Sequence, residues 1–253
     1  MAGKKALIVG VANERSLAWS IAQHLHAQGC ELAFTFQGEA LERRVRPLAE
    51  SVGAEIVEPC NVTDDAQLER LFHKVKETWG GLDVLIHSVA FANREDLEGR
   101  FVNTSRAGFQ TALDISAYSL VSMARLAEPL MEANGGGTIL TLSYYGALKV
   151  MPNYNVMGVA KAALEACVRY LAFDLGTKKI RVNAISAGPV KTLAAAGIRN
   201  FRDMLNAAEE KTPLKENITA DDVGALGAFL SGPGGVHVTG TTMYVDSGAH
   251  IMA

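Results

Sequence analysis

The stretch K-K-A-L-I-V-G-V-A-N-E-R-S-L-A-W-S-I-A, Lys4 to Ala22, decides the fold. Ala6 to Val9 is a short apolar run, suited to a strand buried on both faces. Gly10 ends it. From Ser16 to Gln28 the period changes, and Leu17, Ile21 and Leu25 fall on one helical stripe. A strand, a glycine turn and a helix put backbone N–H groups at the helix N-terminus, where a pyrophosphate can sit. The full G-x-G-x-x-G pattern is absent. Gly10 alone is in place, and Ser16 and Ala18 stand where small residues are needed.

Downstream, apolar runs alternate with helical patterns. Strands are expected near Ala6–Val9, Glu31–Phe36, Glu55–Pro59, Val84–Ser88, Thr138–Leu142, Arg181–Ile185 and Thr242–Val245. Helices are expected near Leu17–Gln28, Ala40–Val52, Asp64–Trp79, Gly108–Ala133, Asn155–Leu175 and Asp222–Leu230. This alternation predicts an α/β fold of Rossmann type: a doubly wound, parallel, seven-stranded sheet with helices on both faces. Ligands of such sheets collect at the carboxyl ends of the strands. At 253 residues the chain fits one domain with a full core, spanning 1–253.

Composition narrows the function classes. No apolar run reaches the roughly 18 residues of a membrane span. No basic-then-apolar leader precedes the first strand, so a cytoplasmic location is expected. Cys30, Cys60 and Cys167 are few, odd in number and unclustered, which fits reduced thiols and no zinc site. A net charge of −3 gives no support for nucleic-acid binding. The histidines lack metal-ligand spacing, and His87, at a strand end, reads as a core histidine with its hydrogen bonds satisfied. No G-x-S-x-G elbow supports a serine hydrolase.

A second stretch carries chemistry: S-Y-Y-G-A-L-K-V-M-P-N-Y-N-V-M-G-V-A-K, Ser143 to Lys161. A helix opening after Pro152 puts Tyr154 and Lys161 on one face, about 20° apart around the axis and roughly 10 Å apart along it. A phenol and an ammonium in one cleft can share a ligand. Charge proximity is expected to draw the Tyr154 phenol below its ordinary value, and the ammonium can donate hydrogen bonds to a sugar diol. The competing reading is a core tyrosine and a surface lysine on an ordinary helix.

Several motifs together resemble one family. They are G-V-A-N-E-R-S-L-A-W from Gly10, H-S-V-A-F-A from His87, Y-x9-Y-x6-K over Tyr144, Tyr154 and Lys161, and R-V-N-A-I-S-A-G-P-V-K-T-L-A-A from Arg181. The chain resembles, over essentially its whole length, the bacterial enoyl-acyl carrier protein reductases, a divergent branch of the short-chain dehydrogenase/reductases. Ser16 in the nucleotide loop and the extra Tyr144 separate this branch from ordinary keto-reductases. The resemblance implies NADH-dependent reduction of trans-2-enoyl thioesters on acyl carrier protein, in fatty-acid elongation. It implies catalytic Tyr144, Tyr154 and Lys161. Tyr154 would hydrogen-bond the thioester oxygen as charge develops there, Lys161 would bind the nicotinamide ribose, and Tyr144 would line the pocket. The α-carbon proton can come from solvent or from Tyr154.

The resemblance also implies a cofactor shell of Gly10, Ser16, Leu17, Gln37, Asn61, Val62, Ser88, Val89, Ala90, Lys161, Pro189, Val190 and Thr192. After the second strand, Gln37 is neutral and Glu39 would repel a 2′-phosphate, so NADH is expected over NADPH. Arg43 and Arg44 are read as solvated charges. Asn61 stands where the family usually has Asp, yet an amide can both accept from and donate to adenine. Asp114-Ile115-Ser116 stands where ordinary members of the superfamily carry a catalytic Asn.

Substrate contacts are expected from Ala92, Tyr144, Tyr154, Met157, Ala194 and Phe201. The segment from Leu193 to Met204 is small and apolar, with a helical period through Ile198, Phe201 and Leu205, which fits a lid near 190–210 over an acyl chain. Arg199 and Arg202 flank Phe201 and are expected to meet the acidic carrier protein. A homotetramer is expected, because the last strand ends in apolar residues that a monomer would leave partly wet. Two rivals remain. A keto-reductase or alcohol dehydrogenase would require Asn near position 114 and Ser about a dozen residues before Tyr154. Asp114 and Ser143, eleven before, disfavour it. A cofactor-sensing Rossmann protein without turnover would not need both Tyr154 and Lys161.

Overall fold

The computed structural model describes residues 1–192, 205 and 209–252. Every strand expected from an apolar run forms within two residues of its expected ends: β1 (Lys5–Val9), β2 (Glu31–Phe36), β3 (Ile56–Pro59), β4 (Val84–His87), β5 (Gly137–Ser143), β6 (Ile180–Ala187) and β7 (Thr242–Val245). They pair in parallel throughout, in the order β3-β2-β1-β4-β5-β6-β7. The helices that lie wholly among the described residues include α1 (Leu17–Ala27), α2 (Glu39–Ser51), α3 (Asp65–Trp79), α4 (Arg94–Leu97), α5 (Arg106–Leu113), α6 (Ser119–Ala133), α7 (Asn155–Leu175) and α8 (Ala220–Ser231).

Successive strand side chains point to opposite faces, so each strand feeds two cores. On one face Leu7, Leu85, Ile139 and Val182 meet Leu68 and Leu71 of α3, Leu120 and Met123 of α6, and Leu164 and Val168 of α7. On the other, Ile8, Ile86 and Leu140 meet Ile21 and Leu25 of α1, Val45 of α2, and Val223 and Leu230 of α8. Burial on both faces explains why these strands read as continuous apolar runs and not as alternating ones.

The single helix expected over Gly108–Ala133 is interrupted. A π-helical turn at Asp114–Tyr118 separates α5 from α6. The extra residue in that turn aims two hydroxyls at the end of β4. Ser116 Oγ accepts from the Phe91 amide at 3.0 Å, and Ser119 Oγ meets His87 Nε2 at 2.7 Å. His87 is fully buried and its Nδ1 meets Thr141 Oγ1 at 2.8 Å, so it is a satisfied core histidine; burial pushes its pKa down to about 3. Helix α4, four residues long, carries no readable period.

The strand order reverses between β1 and β4, the place where doubly wound sheets open a crevice. Gly10 sits at its rim with φ +105, and a Cβ there would lie 2.0 Å from the Ser88 carbonyl oxygen. Any side chain at position 10 would therefore push the β1 and β4 loops apart.

Candidate active site

The site grows from the end of β5. Ser143 ends the strand, Tyr144 follows in extended conformation, and residues Tyr145–Ala147 form one 3-10 turn. The chain then enters α7, for which Tyr154 is the N-cap residue. Asn153 and Asn155, on either side of Tyr154, have φ of +60 and +32. Asparagine tolerates such angles better than most residues. Asn155 Nδ2 also donates to the Glu98 and Gly99 carbonyls at 3.3 and 3.2 Å, which fixes the entry to the helix.

Tyr144 and Tyr154 meet edge to face, with ring centroids 5.0 Å apart. Two glycines allow this. A Cβ on Gly146 would lie 2.6 Å from the Tyr154 ring, and one on Gly158 would lie 2.8 Å from the Gly146 carbonyl. The sequence pattern assigns neither glycine this role. A glycine four residues after Tyr154, inside a helix where glycine costs stability, is the signal that could have found them.

Lys161 lies on the same face of α7, only 7% exposed, and its Nζ donates to the Leu142 carbonyl at 2.7 Å. It is not a surface lysine. Burial pushes its pKa down to about 8, opposed in part by the charge of Glu165.

One expectation is overturned. Tyr154 is not drawn below its ordinary value; burial raises it, and the adjacent Tyr144 raises it further. Desolvation of the phenolate outweighs any attraction from an ammonium that is engaged on Leu142. Tyr154 is thus a neutral O–H donor across the working pH range. Burial raises Tyr144 as well.

Ala92, Leu97 and Leu113 pack with Tyr154 against Ala112, Val156, Met157 and Ala160. The expected substrate contacts Ala92, Met157, Tyr144 and Tyr154 are thereby gathered on one apolar wall. Ala194, Phe201, Arg199 and Arg202, with most of the expected lid, lie outside the described residues.

The expected cofactor shell follows the strand ends. Gly10 comes after β1, Gln37 after β2, Asn61 and Val62 after β3, Ser88, Val89 and Ala90 after β4, and Pro189, Val190 and Thr192 after β6. The start of α1 fits an anionic ligand. Ser16 does not cap the helix; its Oγ accepts from the amides of Ala12 and Asn13 at 3.0 and 3.2 Å. The loop is ordered while the first-turn amides, including that of Leu17, have no side-chain cap, and no acidic residue lies in that turn. Asn61 Oδ1 accepts from the Thr63 amide and hydroxyl, leaving its NH2 to donate to a base. Gln37 is exposed. Arg43 pairs with Glu39 at 3.6 Å and is exposed, as is Arg44.

The family model for enoyl-(acyl carrier protein) reductase matches residues 10–250. The chain belongs to the enoyl-acyl carrier protein reductase family. It is 52% identical over 250 residues to an enoyl-[acyl-carrier-protein] reductase [NADH] of Rickettsia typhi, covering 99% of this chain and 95% of that one. It is 50% identical over 255 residues to a Nostoc enzyme of the same description, covering 100% and 98%. The crystal structure of the Anaplasma phagocytophilum reductase in complex with NAD superposes with a TM-score of 0.95 at 52% identity, covering 99% and 95%. That of the Bacillus cereus reductase with NADP+ and indole naphthyridinone gives 0.96 at 50%, covering 100% and 98%. The π-helical turn and the Ser116 contact therefore belong to a reductase whose position 114 is Asp. Among the described residues no helix is long and apolar enough to cross a membrane, and no cluster of side chains could hold a metal.

Proposed function

We propose that the chain catalyses NADH-dependent reduction of the trans-2 double bond of enoyl-acyl carrier protein thioesters in fatty-acid elongation. The observation that carries this reading is the edge-to-face Tyr144–Tyr154 pair against an apolar wall, with a buried Lys161 on the same face of α7 as Tyr154. NADH, when bound, supplies the hydride. Tyr154 then donates its O–H to the thioester oxygen as negative charge develops there, and its neutrality keeps that proton available. Lys161 hydrogen-bonds the ribose hydroxyls and contributes a positive charge next to the reacting centre. Tyr144 holds the Tyr154 ring and closes the pocket, and the apolar wall excludes water. NADH oxidation with a crotonyl thioester against an acetoacetyl thioester tests the reading. Preference for the acetoacetyl compound would favour the keto-reductase, and inertness toward both a sensor without turnover.

NADH is expected to give the higher kcat/KM in one buffer. Gln37 offers no cation, and Arg43, the next arginine along the chain, lies exposed beside Glu39. A ratio favouring NADPH would mean that Arg43 or Arg44 turns to the 2′-phosphate.

The cytoplasmic chain 1–253 is read as one dinucleotide-binding and catalytic unit with a substrate lid near 190–210. A homotetramer is supported by β7, each residue of which is only half-buried, and by Tyr170 and Phe173 on α7, 75% and 83% exposed. Light scattering at micromolar concentration should give four times the 27.0 kDa chain mass, and a monomer would refute the assembly. Acyl carrier protein should dock beside the lid on Arg199 and Arg202. Replacing both with Glu should raise KM for a carrier-linked substrate and leave a coenzyme A thioester nearly unaffected. Unchanged salt dependence of KM for the carrier-linked substrate would place the docking face elsewhere.

A further inference from the structure

Two buried side chains beside the site are not used by the mechanism above. Glu165 lies one turn beyond Lys161 on α7 and is 7% exposed; Ser143 is 6% exposed. The Ser143 hydroxyl donates to Glu165 Oε1. The helix therefore grips consecutive residues at the end of β5: Lys161 Nζ holds the Leu142 carbonyl, and Glu165 holds the Ser143 side chain. The next residue is Tyr144. We propose that Glu165, acting with Ser143, is a positioning residue for the reductase: it docks α7 onto the end of β5 and supplies the buried counter-charge to Lys161.

The surroundings of Lys161 leave this role to Glu165. His87 from β4 is fully buried and kept neutral. Tyr144 and Tyr154 are held neutral by burial. Tyr244 of β7 senses the charges of Glu165, Asp246 and Tyr145, and is raised chiefly by burial. Asp246 is occupied by the Gly248 and His250 amides and the His250 ring. Glu165 is the charged group that opposes the desolvation of Lys161. A buried ammonium without an opposite charge releases its proton readily. The carboxylate is therefore what keeps a charged donor at the ribose near neutral pH.

The inference rests on the proposed role of Lys161 but can be tested without cofactor. Glu165→Gln has nearly the same volume and retains an acceptor for Ser143, so it removes the charge and spares the packing. In the free protein, labelled with 13Cε-lysine and assigned through Lys161→Ala, the Lys161 midpoint should fall by about one pH unit. Near pH 8, the wild-type midpoint, NADH should then bind about fivefold more weakly, as the charged fraction drops. The difference should close about two pH units lower, where both proteins are protonated. Ser143→Ala keeps the charge and should lower the melting temperature with a Lys161 midpoint close to wild type. An unchanged midpoint in Glu165→Gln, or an equal fall in Ser143→Ala, overturns the proposal. Should Glu165→Gln fail to fold, Glu165→Asp decides: its retained charge should hold the midpoint close to wild type, and a fall of about a full unit overturns the idea. A wild-type protein that reduces no enoyl thioester would sink the enzymatic reading instead, with the lysine titration still measurable.

Discussion

Tyr154→Phe should lower kcat by about 10²- to 10³-fold, the usual cost of removing one donor to a developing oxyanion. NADH affinity should barely move. In the proposed role the lost O–H meets the thioester oxygen and matters mainly as the enolate forms, so kcat and kcat/KM should fall together. The ring itself packs on Tyr144 and on Met157 and Ala160, and phenylalanine preserves those contacts. The variant should therefore fold normally. Because burial keeps the Tyr154 phenol above its ordinary range, the wild-type rate should show no alkaline loss from this group below the pH at which free tyrosine ionises. Wild-type kcat in Tyr154→Phe across several acyl chain lengths would remove the hydroxyl from the mechanism.

The sheet was legible because its strands are buried on both faces, so Leu7, Ile8, Leu85 and Ile86 leave unbroken apolar runs in the sequence. Lys161 and Tyr154 were legible because a helix repeats every turn and the spacing alone puts them on one face. Energetics was less legible. Spacing says that a lysine lies near a tyrosine, but not that its Nζ donates to the Leu142 carbonyl or that the lysine is buried. Hence the expected sign of the Tyr154 shift was wrong: desolvation is a property of the packed site and leaves no trace in a motif. The π-helical turn escaped for a related reason. Residues 114–118 are flanked by a helical period on either side, and the wider backbone turn there shows only in the folded chain. Gly146 and Gly158 are informative once the distances to the Tyr154 ring and to the Gly146 carbonyl are known.

Lys161→Ala should weaken NADH binding by about 10- to 150-fold, the range for losing charge-assisted hydrogen bonds in a buried site. In its proposed role the lysine, unlike the tyrosine, would act before the reaction begins, so the loss should appear in equilibrium binding and in KM for NADH. The pH dependence separates this role from a packing effect. The Lys161 pKa is pushed down to about 8 by burial. The protonated side chain is the better donor to the ribose and the better partner for an anionic cofactor. Affinity should therefore be full on the acid side of that value and fall as pH rises through it. In Lys161→Ala this step should vanish, leaving a weak and nearly flat profile. Removing the side chain also strands the Leu142 carbonyl, so thermal melts are needed beside the titration; a cost of about 1–3 kcal/mol is expected from an unsatisfied buried acceptor, partly offset by relief of a buried charge. Equal NADH dissociation constants for the two proteins, in a variant whose melting temperature has dropped, would confine Lys161 to holding β5 against α7.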